Sequence, residues 1–249
     1  MENDLFSLKD KVIIITGAGN GIGEFLSLNL LKSNAKIYRI DKKFNKSKKL
    51  NMCHDKICDI TNLKQIKKTC SQIFSENNKI DVLINNAGIT YPNNSLNYPL
   101  ESWKKTIDVN LTGAFQFTSE VLKYMKKKKS GSIINITSIN SEFGFPNNPA
   151  YVASKGGLKL LGKSFARDWG IHGIRVNNLG PGYIITDMTK KSYNNKKTRI
   201  ARQKNTMLNR WGTPNDLLGP CIFLSSNASS YVTGQDIYVD GGWTANGLQ

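Results

Sequence analysis

The chain has 249 residues, and its 35 lysines and arginines outnumber 18 aspartates and glutamates to give a formal charge of +17. This length fits one large α/β domain, and no stretch approaches the roughly twenty apolar residues that a membrane span needs. Few aromatic residues lie among the basic ones, which is typical of a solvated surface and argues against a nucleic-acid partner. Four irregularly spaced cysteines favour reduced thiols, so we expect a cytoplasmic protein.

Short runs of β-branched residues alternate with longer segments of helical periodicity. The strand-like runs are residues 11–16, 36–40, 80–84, 131–136, 174–177 and 236–239. Helical periodicity is clearest at residues 21–33, 63–75, 101–127, 151–170 and 214–224. Near-continuous apolar strands separated by helices predict a parallel sheet covered on both faces. We therefore expect a single α/β domain over residues 1–249, a Rossmann-type doubly wound sheet of about seven strands, with a basic lid near residues 183–210.

The first predicted strand runs into a glycine-rich turn that is followed by a helix. Glycines let the backbone come close to a pyrophosphate, and the start of a helix presents free N–H groups to an anion. Such a turn also serves tight packing alone, but the strand before it and the helix after it are typical of dinucleotide-binding proteins. The residues that we assign to the cofactor here are Thr16, Gly17, Gly19, Asn20, Gly21, Ile22 and Gly23.

An acidic residue, Asp41, ends the second predicted strand. A carboxylate at this position accepts hydrogen bonds from an adenosine ribose and repels a 2′-phosphate. Asn20 supplies no cation for such a phosphate, whereas Lys42 and Lys43 weaken the argument. The pattern favours NAD over NADP as cofactor. A solvated carboxylate at a strand end is the alternative interpretation of Asp41.

A tyrosine four residues before a lysine places a phenol and an ammonium on one helix face, where the cation favours the phenolate. Because the chain is rich in lysine, the pattern occurs four times, at Tyr38, Tyr124, Tyr151 and Tyr193. Only Tyr151 also has a serine 13 positions upstream, Ser138, which ends a predicted strand. The carboxyl ends of parallel strands surround the ligand crevice in such sheets. We therefore select Tyr151, Lys155 and Ser138 as the catalytic group.

The motif order resembles that of the short-chain dehydrogenase/reductase family over essentially the whole chain. The matching motifs are Thr16-Gly-x-x-x-Gly-x-Gly23, Asp59, Asn85-Asn-Ala-Gly88, Asn110, Ser138, Tyr151-x-x-x-Lys155, Pro181-Gly182 with Thr186, and Val239-Asp-Gly-Gly242. The resemblance implies that Tyr151 is the general acid and base, that Lys155 lowers its pKa and binds the nicotinamide ribose, and that Ser138 binds the reacting oxygen. It also implies that Asn110 holds a water that links Lys155 to solvent.

The same resemblance implies further cofactor contacts. It assigns the adenine to Asp59 and Ile60, the ribose region to Asn86 and Gly88, and the carboxamide to Thr186 and the backbone at Ile184. Further cofactor-binding residues are Ala87, Pro181 and Gly182. Two structural alternatives stay open, since Asn86 would also stabilise the sheet and Thr186 would also begin the lid. We expect no metal, because Cys53, His54 and Cys58 lack a second pair of ligands at a convincing distance.

The predicted substrate pocket is polar, which suits a small hydroxylated molecule. Its residues are Ser138, Asn140, Glu142, Asn148, Tyr151 and Tyr183. The last seventy residues or so look most like those of sugar-alcohol or gluconate-type 5-dehydrogenases, although loop changes alter substrate choice within one fold. The alternatives are an NADPH-dependent 3-oxoacyl-(acyl carrier protein) reductase and a non-catalytic dinucleotide sensor or scaffold.

The family usually pairs two helices across subunits, so we expect a homotetramer or homodimer. The corresponding helices here are residues 101–127 and 151–170. The residues that we expect on the exposed face of the first of them are Leu111, Phe115, Val121 and Leu122.

Overall fold

The structure is a computed structural model that describes residues 5–44 and 51–246, so the predicted domain limits at residues 1 and 249 lie outside the described residues. All seven strands of its sheet run parallel, in the order β3-β2-β1-β4-β5-β6-β7. The strands are β1 (Val12–Thr16), β2 (Lys36–Asp41), β3 (Cys53–Ile57), β4 (Val82–Asn85), β5 (Gly131–Ile136), β6 (Ile174–Pro181) and β7 (Asp236–Val239). The chain adds strands outward from β1 in one direction and then from β4 in the other, so the order of strands reverses between β1 and β4, where α/β sheets bind ligands.

Helices cover both faces of the sheet. They are α1 (Gly21–Leu30), α2 (Leu63–Asn77), α3 (Leu100–Ile107), α4 (Ala114–Lys128), α5 (Pro149–Trp169), α6 (Lys190–Asn194), α7 (Lys196–Lys204) and α8 (Leu218–Ser225). One apolar core lies between the sheet and α2, α4 and α5, and another lies between the sheet and α1 and α8. The predicted doubly wound α/β fold is confirmed. No helix within the described ranges is both long and apolar enough to cross a membrane.

The predicted helix over residues 101–127 is divided by a π-helical segment, Asp108–Gly113, between α3 and α4. Our expectation that this helix exposes Val121 and Leu122 is wrong. Both side chains are buried in the core, at 0% and 1% exposure, because this side of α4 packs on α2 and the sheet. Phe115 does remain exposed and stacks on Phe165 of α5.

The segment predicted as a lid, residues 183–210, contains two short helices, α6 and α7. Asn195 caps the second of them, accepting a hydrogen bond from the Thr198 N–H. The indole of Trp211 donates to the Arg199 carbonyl at 3.1 Å, which connects α7 to the chain that follows the lid. This segment therefore has regular structure where its sequence showed only a weak polar pattern, and its role as a lid stays a prediction.

Candidate active site

A cavity of about 640 Å³ opens at the carboxyl ends of the central strands. It is lined by residues of the glycine turn, β2, the segment after β4, α5 and the start of the lid. The predicted site residues that it brings together are Gly17, Asn20, Gly21, Ile22, Asp41, Ile60, Asn86, Ala87, Gly88, Ser138, Tyr151, Lys155, Pro181, Gly182, Ile184 and Thr186. Sequence reasoning missed several further lining residues, namely Lys105, Asp108, Val109, Thr137 and Met188.

Two positions of the glycine turn, Gly17 and Gly23, leave no room for a side chain. Gly17 has a φ of +64°, and a Cβ there would lie 2.6 Å from the Cα of Ala87. A Cβ on Gly23 would collide with the Gly17 carbonyl and the Asn86 amide. The turn then leads directly into α1, whose first N–H groups face the same end of the sheet. This open backbone cradle at a helix start fits the pyrophosphate of a dinucleotide.

Thr16 and Asn86 hold the glycine turn against the end of β4. The Thr16 hydroxyl accepts hydrogen bonds from the N–H groups of Asn86 and Ala87, at 3.1 and 3.2 Å. The Asn86 side-chain amide donates in return to the carbonyls of Thr16 and Gly17, at 3.0 and 2.9 Å. The structural alternative for Asn86 therefore has direct geometric support, since its amide connects two segments of the cavity wall.

Asp41 lies at the end of β2 and lines the cavity. Its Oδ2 accepts a hydrogen bond from the Gly19 N–H at 2.8 Å. The neighbouring Lys42 ammonium lies 2.9 Å from Asp59 Oδ2, so this cation is already paired with a carboxylate. Desolvation acts to raise the pKa of Asp59, but hydrogen bonds from Thr61 and the pair with Lys42 lower it overall. A carboxylate, and not an unpaired lysine, thus ends the second strand at the cavity.

The predicted catalytic side chains meet at the ends of β5 and α5. The Lys155 ammonium lies 5.7 Å from the centre of the Tyr151 ring and donates to the Ile136 carbonyl at 2.6 Å. Burial raises the pKa of Tyr151, while a hydrogen bond with Ser138 acts in the opposite direction. Desolvation lowers the pKa of Lys155 to about 8. The implied lowering of the tyrosine pKa by Lys155 stays a prediction, since the net shift of Tyr151 is upward.

Asn110 lies fully buried in the π-helical segment, behind the cavity. Its Oδ1 accepts from the Ile89 N–H at 2.8 Å, and its Nδ2 donates to the Ile89 carbonyl and to Ser154 Oγ, both at 3.0 Å. A Cβ on Gly88 would lie 3.6 Å from both Asn110 Oδ1 and Lys155 Nζ, so both groups lie close to the same point beside Gly88. Such π-helical turns are frequent at functional sites. The predicted water link through Asn110 is a proposal that this position supports.

Comparison with known proteins agrees with this geometry. A family model described as "Enoyl-(Acyl carrier protein) reductase" matches residues 17–244. The chain belongs to the short-chain dehydrogenase/reductase family. It is 37% identical to the 2-dehydro-3-deoxy-D-gluconate 5-dehydrogenase of Bacillus subtilis, over 97% of either chain. It is also 36% identical to the 3-oxoacyl-[acyl-carrier-protein] reductase FabG of Thermotoga maritima, over 94% of this chain and 98% of that one.

Among solved structures, a gluconate 5-dehydrogenase from Burkholderia cenocepacia in complex with NADP and tartrate superposes with a TM-score of 0.93. It shares 32% identity, over 97% of this chain and 98% of the other. The predicted family and its resemblance to gluconate-type members are thus confirmed. This short-chain dehydrogenase/reductase is an oxidoreductase that uses a nicotinamide dinucleotide, and its glycine cradle fits that cofactor.

The predicted substrate residues of the dehydrogenase have partners within the protein. The Asn148 amide donates to the Thr90 hydroxyl at 2.8 Å, and the Asn140 N–H donates to Ser138 Oγ at 3.1 Å. The Tyr183 ring packs between Trp211 and Trp243, away from the main cavity. Asn140 and Asn148 thus support the segments that carry Ser138 and Tyr151, whereas Tyr183 lies outside the main cavity. The roles of all three residues toward substrate stay predictions.

Glu142 is not among the residues that line the main cavity, although we expected it in the substrate pocket. Its carboxylate pairs with Lys159 of α5 and accepts a hydrogen bond of 2.6 Å from the hydroxyl of Tyr238 in β7. These partners lower the pKa of Glu142, with Lys159 the larger cause. The structure thus directs Glu142 to α5 and β7, and not to the cavity, because a carboxylate near a lysine is stabilised by that charge.

Proposed function

We propose that this chain interconverts a secondary alcohol and a ketone on a small sugar acid, with NAD(H) as cofactor. The observation that carries the proposal is the meeting of Tyr151, Ser138 and Lys155 on one wall of the cavity that also contains the glycine cradle. A phenol next to a serine hydroxyl supplies a proton donor and a second hydrogen-bond donor to one oxygen atom. A bound NAD(H) supplies the hydride donor or acceptor.

In the proposed reduction, Tyr151 gives its proton to the carbonyl oxygen of the substrate, and in oxidation it takes a proton from the alcohol. Ser138 donates a hydrogen bond to the same oxygen while charge develops on it. Lys155 holds positive charge beside the phenol, which favours the phenolate after proton transfer. Its bond to the Ile136 carbonyl keeps the ammonium in this place.

The preference for NAD rests on Asp41. Its carboxylate lines the cavity at the end of β2, where a 2′-phosphate would meet negative charge. The nearest cation in sequence, Lys42, is paired with Asp59. The Burkholderia cenocepacia relative was solved with NADP, so the ratio of the two activities is the quantity to measure.

A negatively charged substrate is supported by the lid. The cations there are Lys190, Lys191, Lys196, Lys197, Arg199, Arg202 and Lys204. Arg202 lies 4.6 Å from the centre of the Tyr183 ring and 5.4 Å from that of Phe145, a residue of the loop between Ser138 and Tyr151. No carboxylate of the described chain lies within ion-pair distance of Arg202, whose guanidinium packs on the rings of Phe145, Tyr183 and Trp211 beside the cavity lining. We propose that this uncompensated charge attracts an acidic substrate toward the cavity.

Two relatives indicate the substrate class. The Bacillus subtilis relative is named for a keto sugar acid, which agrees with a carboxylate near the basic lid. The Thermotoga maritima relative favours the second candidate function, reduction of a 3-oxoacyl thioester with NADPH. Asp41 argues against this alternative, because it disfavours NADPH. We further propose a homotetramer or homodimer, on the basis of the exposed Phe115 and Leu160 on α4 and α5.

The test compares initial rates in two assays. NADH or NADPH formation is measured with D-gluconate, 2-dehydro-3-deoxy-D-gluconate and uncharged D-glucitol. NADPH consumption is measured with an acetoacetyl thioester. We expect turnover of a sugar acid with NAD and a much lower rate with D-glucitol. Arg202→Met should raise the KM for the acid and leave the rate with D-glucitol nearly unchanged. Thioester reduction with NADPH as the fastest reaction would overturn the proposal.

A further inference from the structure

Arg39 is an unusual residue for the middle of an internal strand of the sheet. It lies in β2 with a side-chain exposure of 1%, although arginine is rarely buried without a partner. Its Nη1 lies 3.3 Å from Asp55 Oδ1 on β3, the residue directly opposite in the strand register. The ring of Phe44, which follows β2, covers the guanidinium with its centre 4.9 Å away. The charge is thus compensated by one ion pair and shielded by one ring.

The remaining nitrogens of Arg39 reach the glycine turn. Nε and Nη2 both donate to the Ala18 carbonyl, at 3.2 and 2.9 Å. Asp41, two residues further along β2 and therefore on the same face, accepts from the Gly19 N–H at 2.8 Å. The Ala18 carbonyl and the Gly19 N–H belong to a single peptide group. The two side chains thus hold that peptide from both ends.

This arrangement fixes the turn and the carboxylate together. A peptide held at its oxygen and at its nitrogen cannot rotate, and the Ala18 N–H adds a third bond to the Ile40 carbonyl at 3.1 Å. Glycine-rich segments lose much conformational freedom when they become ordered, so a turn that is already fixed binds its ligand at lower entropic cost. The bond from the Gly19 N–H likewise holds the Asp41 carboxylate in one orientation before any ligand binds.

We propose that Arg39 is a positioning residue for the adenosine end of the cofactor. Through the Ala18–Gly19 peptide it fixes both the pyrophosphate turn and Asp41, and so it increases affinity for the dinucleotide and discrimination against a 2′-phosphate. The higher affinity for the dinucleotide depends only on the cofactor class of the family. The discrimination against a 2′-phosphate rests on the proposed NAD preference. A lysine cannot replace Arg39 fully, because a single ammonium cannot contact both the Ala18 carbonyl and the Asp55 carboxylate as the planar guanidinium does.

The test is NADH and NADPH binding by fluorescence titration, together with steady-state kinetics, in the double variant Arg39→Met/Asp55→Leu. Replacing both partners by apolar residues avoids an unpaired buried charge and is often tolerated by the fold. We expect the Kd for NADH to rise about tenfold, the loss that one or two charge-assisted hydrogen bonds correspond to. The KM for NAD should rise more than kcat falls, and the ratio of NADPH to NADH dissociation constants should decrease.

Arg175→Met is the matched control, because Arg175 also donates to backbone carbonyls, those of Leu224, Ser226 and Val232, but does so at another edge of the sheet. We expect it to lower the melting temperature and to leave the Kd for NADH within about twofold of the parent protein. A folded double variant with an unchanged Kd for NADH would overturn the proposal. If the double variant does not fold, the same titration is carried out on Arg39→Lys. A higher Kd for NADH in that variant would support the proposal, and an unchanged Kd would overturn it. Binding needs no substrate, so the result stands whether or not a sugar acid is turned over.

Discussion

The Lys155 ammonium donates a hydrogen bond of 2.6 Å to the carbonyl of Ile136, the last residue of β5. This bond ties α5 to the strand whose continuation carries Ser138, so the lysine, the serine and Tyr151 are held by the same two elements. The lysine has a low exposed fraction of 3%, and desolvation lowers its pKa to about 8. Its charge therefore changes at mildly alkaline pH.

The pH dependence of alcohol oxidation follows from these two groups. Burial raises the pKa of Tyr151, so its phenolate is scarce at neutral pH, and each added pH unit increases it about tenfold. We expect the rate to climb from pH 6 to about pH 8 and then to bend, because Lys155 loses its proton there and no longer favours the phenolate. Stopped-time assays of NADH formation check this. A rate independent of pH between 6 and 8 would exclude Tyr151 as the titrating base.

Gly17→Ala should abolish tight cofactor binding. The added methyl would meet the Ala87 backbone at 2.6 Å in a residue whose φ of +64° already disfavours side chains. We expect NADH affinity to fall at least about tenfold by fluorescence titration. Gly219→Ala in α8 is the control, since nothing lies within 4 Å of its added Cβ, and it should leave binding intact. Equal affinity of the two variants would mean that the turn adapts.

Asp41→Ala should reduce the preference for NAD. The change removes the negative charge that a 2′-phosphate would meet and also frees the Gly19 N–H. We expect the ratio of kcat/KM values for NAD and NADP to fall by about tenfold or more, since one charge contact corresponds to at least that factor. The ratio is measured with one substrate at fixed concentration. An unchanged ratio would mean that another residue distinguishes the 2′-hydroxyl of NAD from the 2′-phosphate of NADP.

Phe115→Glu should weaken self-association. Phe115 is 46% exposed on α4 and stacks on Phe165 of α5, with ring centres 6.0 Å apart. A carboxylate in the middle of an apolar contact is costly to desolvate. We expect light scattering after size exclusion to show a smaller particle than the parent protein. Leu96→Glu, at a loop residue that is 87% exposed, is the control and should keep the parent mass; equal masses for both variants would contradict this interface.

The sheet, the glycine turn and the pair Tyr151 and Lys155 could be predicted because each depends on spacing within a short segment. The contacts of Asn110 could not, since its partners Ile89 and Ser154 lie 21 and 44 residues away in the chain. The π-helical segment left no signal in the apolar pattern. The contact of Glu142 with Tyr238 could not be predicted for the same reason, because the two residues are 96 positions apart.

The exposed side of α4 shows how a helical pattern can mislead. Val121 and Leu122 share the apolar character of Phe115, but only the packing of α4 on its neighbours decides which of them are covered. Arg39 was overlooked because a basic residue in a strand is usually at the surface. Its role depends on β3 and the glycine turn, which meet only in the folded chain.

The most direct test of the account is the kcat for NAD-linked oxidation of a sugar acid by the parent enzyme and by Tyr151→Phe, with NADH binding measured on the same samples. We expect kcat to fall by about 100- to 10,000-fold, the usual contribution of a general acid or base, and NADH affinity to change little. A kcat that stays within about twofold of the parent value would contradict a mechanism in which Tyr151 transfers the proton.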